Sequence, residues 1–344
     1  MIDHRLKQAT RWAISQLGDD CEVRPLAGDA SFRRYFRVVQ GLKSFVLMDA
    51  PPDKEDIAPF LEVRNWLDTA AVKVPALLYE GREEGFLLLE DFGDVTWARQ
   101  LNLNAGSGRV EEGRAEEITL KNLFKDAREQ LSGLQVSIPS TSLPLFDLQR
   151  MQRECDLYLD WYLPKVATYT PTDEERKNFH AAMLPFLEEL LALPLVPVHL
   201  DYHSRNLMLP DGQLPLGVID FQDAVMGPVT YDLASLLYDC YQSYPEAQRC
   251  EQSRLFFESL PEHLKISFKS FETWHRLLRL TAMQRHIKAI GIFSRLAYRD
   301  GKLQFLDELP LTRFHLLEEM QALGMCDLSF ALLKKAPFEK KNEA

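Results

Sequence analysis

Apolar residues at Ile2, Leu6, Ala9, Ala13 and Leu17 recur at helical spacing, which predicts an amphipathic helix over residues 2–17. The period then changes. Glu22 to Leu26 reads as a short strand and Phe32 to Val39 as a β-rich alternating run. Gln40-Gly41 supplies a turn, and Lys43 to Met48 reads as a third strand. Asp53 to Ala71 returns to the helical period, with Ile57, Phe60, Leu61, Arg64 and Leu67 near one face. Pro75 to Tyr79 and Phe86 to Glu90 read as two further strands. The order strand, strand, strand, helix, strand, strand predicts a five-stranded, largely antiparallel sheet carrying one helix.

Beyond residue 93 the helical period dominates, with helices expected at roughly 117–136, 147–162, 174–192 and 230–243 and onward to about 335. The polar, Gly-containing stretch 104–117 reads as a surface loop or mobile insertion. Two short apolar runs, Val196 to Leu200 and Leu216 to Ile219, interrupt the helices and read as strands that end in charged residues. The expected architecture is α+β and bilobal: a small β-rich N-lobe over residues 1–92 and a large helical C-lobe over residues 93–344.

Composition narrows the function. With 344 residues, 46% hydrophobic and 26% charged, the chain is neither disordered nor fibrous. A net charge of −11 supplies no basic footprint for nucleic acid and suits a cationic, neutral or metal-chelated small molecule. The five cysteines form no CxxC pair, and their odd count argues against a disulfide framework, which fits a reducing cytoplasm. Met1 to Lys7 leads into no apolar segment of a secretory signal, and the apolar stretch Leu190 to Leu200 is too short to span a bilayer and contains Pro194 and Pro197. No membrane partner is expected.

The chemistry concentrates in His199-Leu200-Asp201-Tyr202-His203-Ser204-Arg205-Asn206 and in Asp220-Phe221-Gln222-Asp223. Asp201 follows the first apolar run, Asn206 comes five residues later, and Asp220 ends the second run fourteen residues after that. Phosphoryl transfer to a hydroxyl uses such a set: a carboxylate to orient the hydroxyl and take its proton, and an amide with a second carboxylate to hold Mg²⁺ on the nucleotide phosphates. Each residue alone reads equally as a turn or cap residue; the joint spacing is what points to a kinase. No G-x-x-x-x-G-K-[ST], H-E-x-x-H or G-x-S-x-G is present.

The spacing resembles the aminoglycoside phosphotransferase/choline kinase family, which shares the protein-kinase-like fold, over roughly residues 22–300. Gly28 to Phe36, Val46 to Pro52, and Gln284-Arg285-His286 with Gly291-Ile292-Phe293 look more narrowly like the bacterial anomeric kinases of N-acetylmuramate and N-acetylglucosamine in cell-wall recycling. The resemblance implies ATP and Mg²⁺, with Asp201 as catalytic base, Asn206 and Asp220 as metal ligands, and His199 bracing the catalytic loop. His203 is either a substrate contact or a hydrogen-bonded loop histidine, and Asp223 is close enough in sequence to reach substrate or a second ion. Asp232 reads as a cap or loop brace.

On the nucleotide side, the loop holding Gly28 and Ser31 lies where a phosphate-covering loop would sit. Leu87 to Phe92 fits the interlobe hinge, with Val46 lining the pocket; Glu90, Asp91 and Phe92 are hinge contacts, or the two acids are only solvated. The third strand departs from the kinase pattern: Met48 stands where a phosphate-binding Lys is expected. Arg34 shares a face with Phe32, Phe36 and Val38 and is the first candidate to replace that Lys, with Arg33 on the opposite face as fallback and Glu62 as a possible partner of either. Aminoglycosides, choline-like cations and amino sugars are all plausible acceptors, and a nucleotide-binding pseudokinase is the alternative class. The narrower resemblance favours amino sugars, with Arg285 reading the lactyl carboxylate of N-acetylmuramate or serving only as a helix-pairing residue.

Overall fold

A computed structural model describes residues 3–26, 32–106, 119–325 and 328–337. In chain order the elements are α1 (His4–Leu17), β1 (Glu22–Pro25), β2 (Arg34–Gln40), β3 (Lys43–Asp49), α2 (Ala58–Thr69), β4 (Leu77–Gly81), β5 (Phe86–Glu90), α3 (Trp97–Gly106), α4 (Leu120–Val136) and α5 (Leu148–Leu157). A π-turn (Tyr158–Tyr162) leads to α6 (Leu163–Lys165) and α7 (Asp173–Leu191), followed by β6 (Leu195–Val198), β7 (Leu207–Met208), β8 (Gly217–Val218) and β9 (Val225–Pro228). The chain continues through α8 (Tyr231–Leu237), α9 (Glu246–Ser259), α10 (Glu262–Lys265), α11 (Phe271–Arg299) and α12 (Leu309–Ala322).

Backbone packing divides the chain into two compact units. The first takes the chain up to Gly133, Pro139–Ser142 and Asn206–Gln222; the second takes Leu134–Ile138, Leu143–Arg205 and the chain from Asp223 on.

In the first unit the sheet has the order β1-β2-β3-β5-β4, with every neighbouring pair antiparallel. Alternation sorts its side chains. Phe36, Val38, Leu47, Phe86 and Leu88 pack against Ala9 and Ala13 of α1, whose small side chains let the helix lie close. Asp3 caps α1 by accepting from the Leu6 N–H at 2.9 Å. The sheet therefore carries two helices rather than the one expected, because α1 covers this face and α2 belongs to the other. The β7–β8 hairpin joins this unit through backbone bonds: Val218 N–H donates to the Lys73 carbonyl at 2.7 Å, and Leu209 N–H to that of Val95 at 2.7 Å. Gln130 of α4 adds a buried clasp, donating to the Leu216 carbonyl at 2.7 Å and accepting from the Lys73 N–H at 2.9 Å.

The second unit is helical around α11, whose buried positions occupy most of its circumference. At Gly291 the helix meets the α5 end so closely that an added Cβ would stand 2.4 Å from the Leu157 carbonyl carbon. β6 and β9 form an antiparallel pair.

Several boundaries differ from the sequence reading. Residues 104–106 continue α3 instead of opening a loop, and the rest of 104–117 lies outside the described residues. The helix expected over 147–162 is α5 followed by the π-turn. β7 and β9 carry too little sequence pattern to be read in advance. Among the described residues, no helix is long and apolar enough to cross a membrane.

Candidate active site

A cavity of about 480 Å³ opens in the first unit on the sheet face opposite α1, lined by Tyr35, Arg37, Val46 and Leu89 from the strands. Val46, Glu90, Asp91 and Phe92, all expected here, line it, as do Asn206 and Asp220. Gly28 and Ser31 lie outside the described residues.

The hinge acids are bound rather than solvated. Glu90 pairs with Lys73 at 2.8 Å, and Asp91 with Arg37 at 2.6 Å, while Asp94 takes a second arm of Arg37 at 2.9 Å. The Asp91 carboxylate also accepts from the Gly93 N–H at 2.9 Å, and the Glu90 N–H donates to the Ala76 carbonyl at 2.9 Å, so these contacts brace the hinge. Phe92 packs onto Gly217, where a Cβ would fall 2.3 Å from the ring, so β8 needs glycine at that point.

Asn206 and Asp220 flank the hairpin. The Asn206 amide donates to Asp220 Oδ2 at 3.5 Å, the Ile219 N–H donates to the Asn206 carbonyl at 3.1 Å, and Gln222 donates to Asp220 Oδ1 at 2.9 Å. Asp220 holds φ at +63°, an uncommon conformation for a non-glycine residue of the kind that clusters at functional sites. One carboxylate and one amide oxygen are hard donors, too few to cage an ion alone but suited to Mg²⁺ that also takes phosphate and water oxygens.

The structure corrects the reading of Arg34. Register places Arg34 opposite Asp49 and Tyr35 opposite Met48. Arg34 thus faces α1, paired with Asp49 at 2.6 Å and Asp3 at 2.5 Å, and does not line the cavity. Buried Asp49 also pairs with Arg5 of α1 at 2.7 Å, so the two arginines neutralise an acid under the helix. Glu62 accepts from Thr141 at 2.6 Å, and Arg33 Nε lies 3.5 Å from Glu55.

In the second unit, β6 delivers His199, Leu200 and Asp201. Leu200 adopts φ +78° just before Asp201. Asp232, at the start of α8, accepts from the His199 and Leu200 N–H groups at 2.7 and 3.0 Å. His199 Nδ1 accepts from the Asp201 N–H at 3.2 Å. Asp239, unread in the sequence, braces the loop from behind by accepting from Ser204 and Tyr241 N–H at 2.9 and 2.8 Å. Burial lifts the Asp232 carboxyl to about 6 despite the His199 charge and those two N–H bonds.

Burial also opposes charge on Asp201, but the positive fields of Lys288, His203 and Arg285 outweigh it and hold the carboxyl below its ordinary range. It is an anion at neutral pH. Burial keeps His203 below the usual imidazole value against the pull of Asp239 and Asp201. His203 meets the Tyr241 ring edge-on at 5.0 Å, and its buried Nδ1 has no hydrogen-bond partner among the described residues. Arg205 stacks on the same ring at 3.8 Å and pairs with Glu308. Asp223 is exposed.

Arg285 is buried on α11, its guanidinium 5.3 Å from the Tyr231 ring centroid, and its Nε and Nη1 lack hydrogen-bond partners among the described residues. One turn on, Lys288 reaches the Tyr231 hydroxyl at 3.4 Å and Glu154 at 3.7 Å. An unsatisfied buried guanidinium is costly, and an anionic ligand would satisfy it. Lys288 went unread because one lysine in a long helix carries no sequence signal.

The sequence pattern of the phosphotransferase enzyme family matches residues 22–265. The chain is 38% identical over 320 residues to the N-acetylmuramate/N-acetylglucosamine kinase of Pseudomonas aeruginosa, covering 90% of each chain. It is 36% identical over 326 residues to the enzyme so named in Pseudomonas putida, covering 90% of this chain and 89% of the relative. In fold it is similar to the ADP-bound aminoglycoside phosphotransferase APH(2'')-Ib, with TM-score 0.59 at 17% identity over 90% of this chain and 98% of the other. It is also similar to the choline kinase LicA of Streptococcus pneumoniae, with TM-score 0.57 at 12% identity over 91% and 99%.

Proposed function

Because the chain belongs to the phosphotransferase enzyme family, we propose that it transfers the γ-phosphoryl group of ATP to the anomeric hydroxyl of N-acetylmuramate and N-acetylglucosamine, giving the sugar 1-phosphate. The observation that carries the acceptor is the identity of 36–38% to relatives named for these two sugars, along some nine-tenths of both chains.

The residues supply the remaining parts. Adenine would meet the backbone of the 90–93 hinge, held by the Arg37–Asp91 and Lys73–Glu90 pairs. Asn206 and Asp220 would hold Mg²⁺, which supplies positive charge to the phosphate oxygens. Asp201 orients the acceptor hydroxyl and takes its proton as the new O–P bond forms. The bond from the γ-phosphorus to the β,γ-bridging oxygen breaks, and ADP leaves. An anomeric hydroxyl is more acidic than an alkyl one, so one carboxylate held as an anion suffices as base. Arg285 would meet the lactyl carboxylate of N-acetylmuramate, with His203 as a sugar contact and exposed Asp223 a weaker one.

The test is an acceptor panel of N-acetylmuramate, N-acetylglucosamine, an aminoglycoside and choline with ATP and Mg²⁺, the products identified by mass and by ³¹P NMR. The expected product is a 1-phosphate of the two amino sugars. Phosphate on the 6-hydroxyl, or transfer only to the other acceptors, would overturn the reading.

A further inference from the structure

Arg285 and Lys288 stand three residues apart on α11, so their side chains leave neighbouring positions on one face of the helix. Both reach the ring of Tyr231, with the guanidinium carbon 5.3 Å and the ammonium 5.9 Å from its centroid. Tyr231 is itself buried at the start of α8. Two like charges therefore share one poorly solvated wall, which is unfavourable unless acceptors meet them. Arg285 leaves Nε and Nη1 without hydrogen-bond partners among the described residues. The fields of Lys288 and Arg285 help hold Asp201 ionised, which places the pair within electrostatic reach of the base.

Lys288 is held only loosely. An ammonium has three donors. Its polar contacts are the Tyr231 hydroxyl at 3.4 Å and Glu154 Oε1 at 3.7 Å, both longer than the roughly 2.7–3.2 Å of a good hydrogen bond. Glu154 has nearer partners, accepting from Gln284 at 3.1 Å and from Arg150 at 3.3 Å. The Lys288 side chain keeps 14% exposure on a flexible four-carbon stem, so its ammonium can turn to a ligand. The lactyl group of N-acetylmuramate hangs from C3, across the ring from the anomeric hydroxyl. Its carboxylate therefore needs a cation near the base but not in contact with it. An enzyme that also takes an uncharged sugar needs a cation that is not left bare when the carboxylate is missing. Glu154 and Tyr231 supply that resting place for Lys288.

Resting on the amino-sugar kinase reading above, we infer that Lys288 is a specificity-determining residue: it leaves Glu154 to take one oxygen of the acceptor carboxylate, beside Arg285 on the other, and returns to Glu154 when the acceptor is uncharged. The first test needs no variant. The wild-type chain is assayed with N-acetylmuramate and with its methyl ester, which keeps the lactyl bulk and loses the charge. The ester should have a kcat/KM lower by about tenfold or more, the range of a lost charge-assisted contact. Lys288→Met should lower kcat/KM for N-acetylmuramate about tenfold more than for N-acetylglucosamine, and should narrow the gap between acid and ester. Lys288→Gln should do the same and serves in its place if the methionine variant does not fold. Lys288→Arg, which keeps the charge, should retain most of the preference for the acid. An ester as good as the acid, or a loss in Lys288→Met that is equal for the two sugars, would overturn the inference while leaving the kinase reading intact. An equal loss that also moves the acidic limb of the pH–rate profile upward would assign Lys288 to Asp201 instead of the acceptor. A wild-type chain that phosphorylates neither sugar would overturn both.

Discussion

The ring of Phe60 on α2 lies 5.0 Å, centroid to centroid, from that of Phe221, the residue after Asp220. Both rings are buried and both line the cavity, so the helix and the segment carrying Asp220 share one apolar contact. Removing either ring by Phe60→Ala or Phe221→Ala should cost about 3–5 kcal/mol. The double variant should show a coupling of about 0.5–1.5 kcal/mol, read from urea unfolding. Strict additivity would mean that the rings do not support one another.

Asp201→Asn should lower kcat by about 10²–10⁴-fold with the fold and ADP affinity retained, since the amide keeps the shape but is no base. Asp220→Ala should raise the Mg²⁺ concentration needed for half-maximal rate or abolish turnover. An unchanged metal dependence would remove Asp220 from that role.

Arg285→Ala should discriminate the two sugars. N-acetylglucosamine has no carboxylate, so kcat/KM should fall by about 1–3 kcal/mol more for N-acetylmuramate than for N-acetylglucosamine. Equal losses would make Arg285 a packing residue on Tyr231.

Asp232 predicts a pH effect on stability. Its carboxyl titrates at about 6 in the folded chain, against 3.8 for the free group, because burial outweighs the His199 charge and the two N–H bonds. Through that window the folded chain keeps a proton that the unfolded chain has lost. The stabilising contribution is therefore full below about pH 4 and falls as pH rises to about 6, by at most about 3 kcal/mol. Asp232→Asn removes this proton. Unfolding free energy of the wild type, measured against that of the variant, should decline by about 1–3 kcal/mol between pH 4 and 6. Parallel curves would refute the assignment.

The antiparallel sheet, the helical remainder and the Asp201, Asn206 and Asp220 spacing were legible because each rests on local period or on fixed separation. Which face of β2 lines the cavity was not. Alternation grouped Arg34 with Phe36 and Val38 correctly, but both faces of the strand are covered, and only the docking of α1 decides between them. The buried acid Asp49 supplied the missing clue: an acid ending an apolar strand needs a cation, and Arg34 stands opposite it. Asp239 and Lys288 stayed hidden because their partners lie 35 and 57 residues away in the chain.

Met48 has a consequence for how such a protein is detected. A nucleotide analogue that reacts with an amine needs a lysine beside the phosphates, and the buried thioether of Met48 offers none. An inventory of a proteome's kinases built on that chemistry would leave this chain uncounted at that strand, however active it is. A photoreactive group carried on the base would not depend on an amine at that strand.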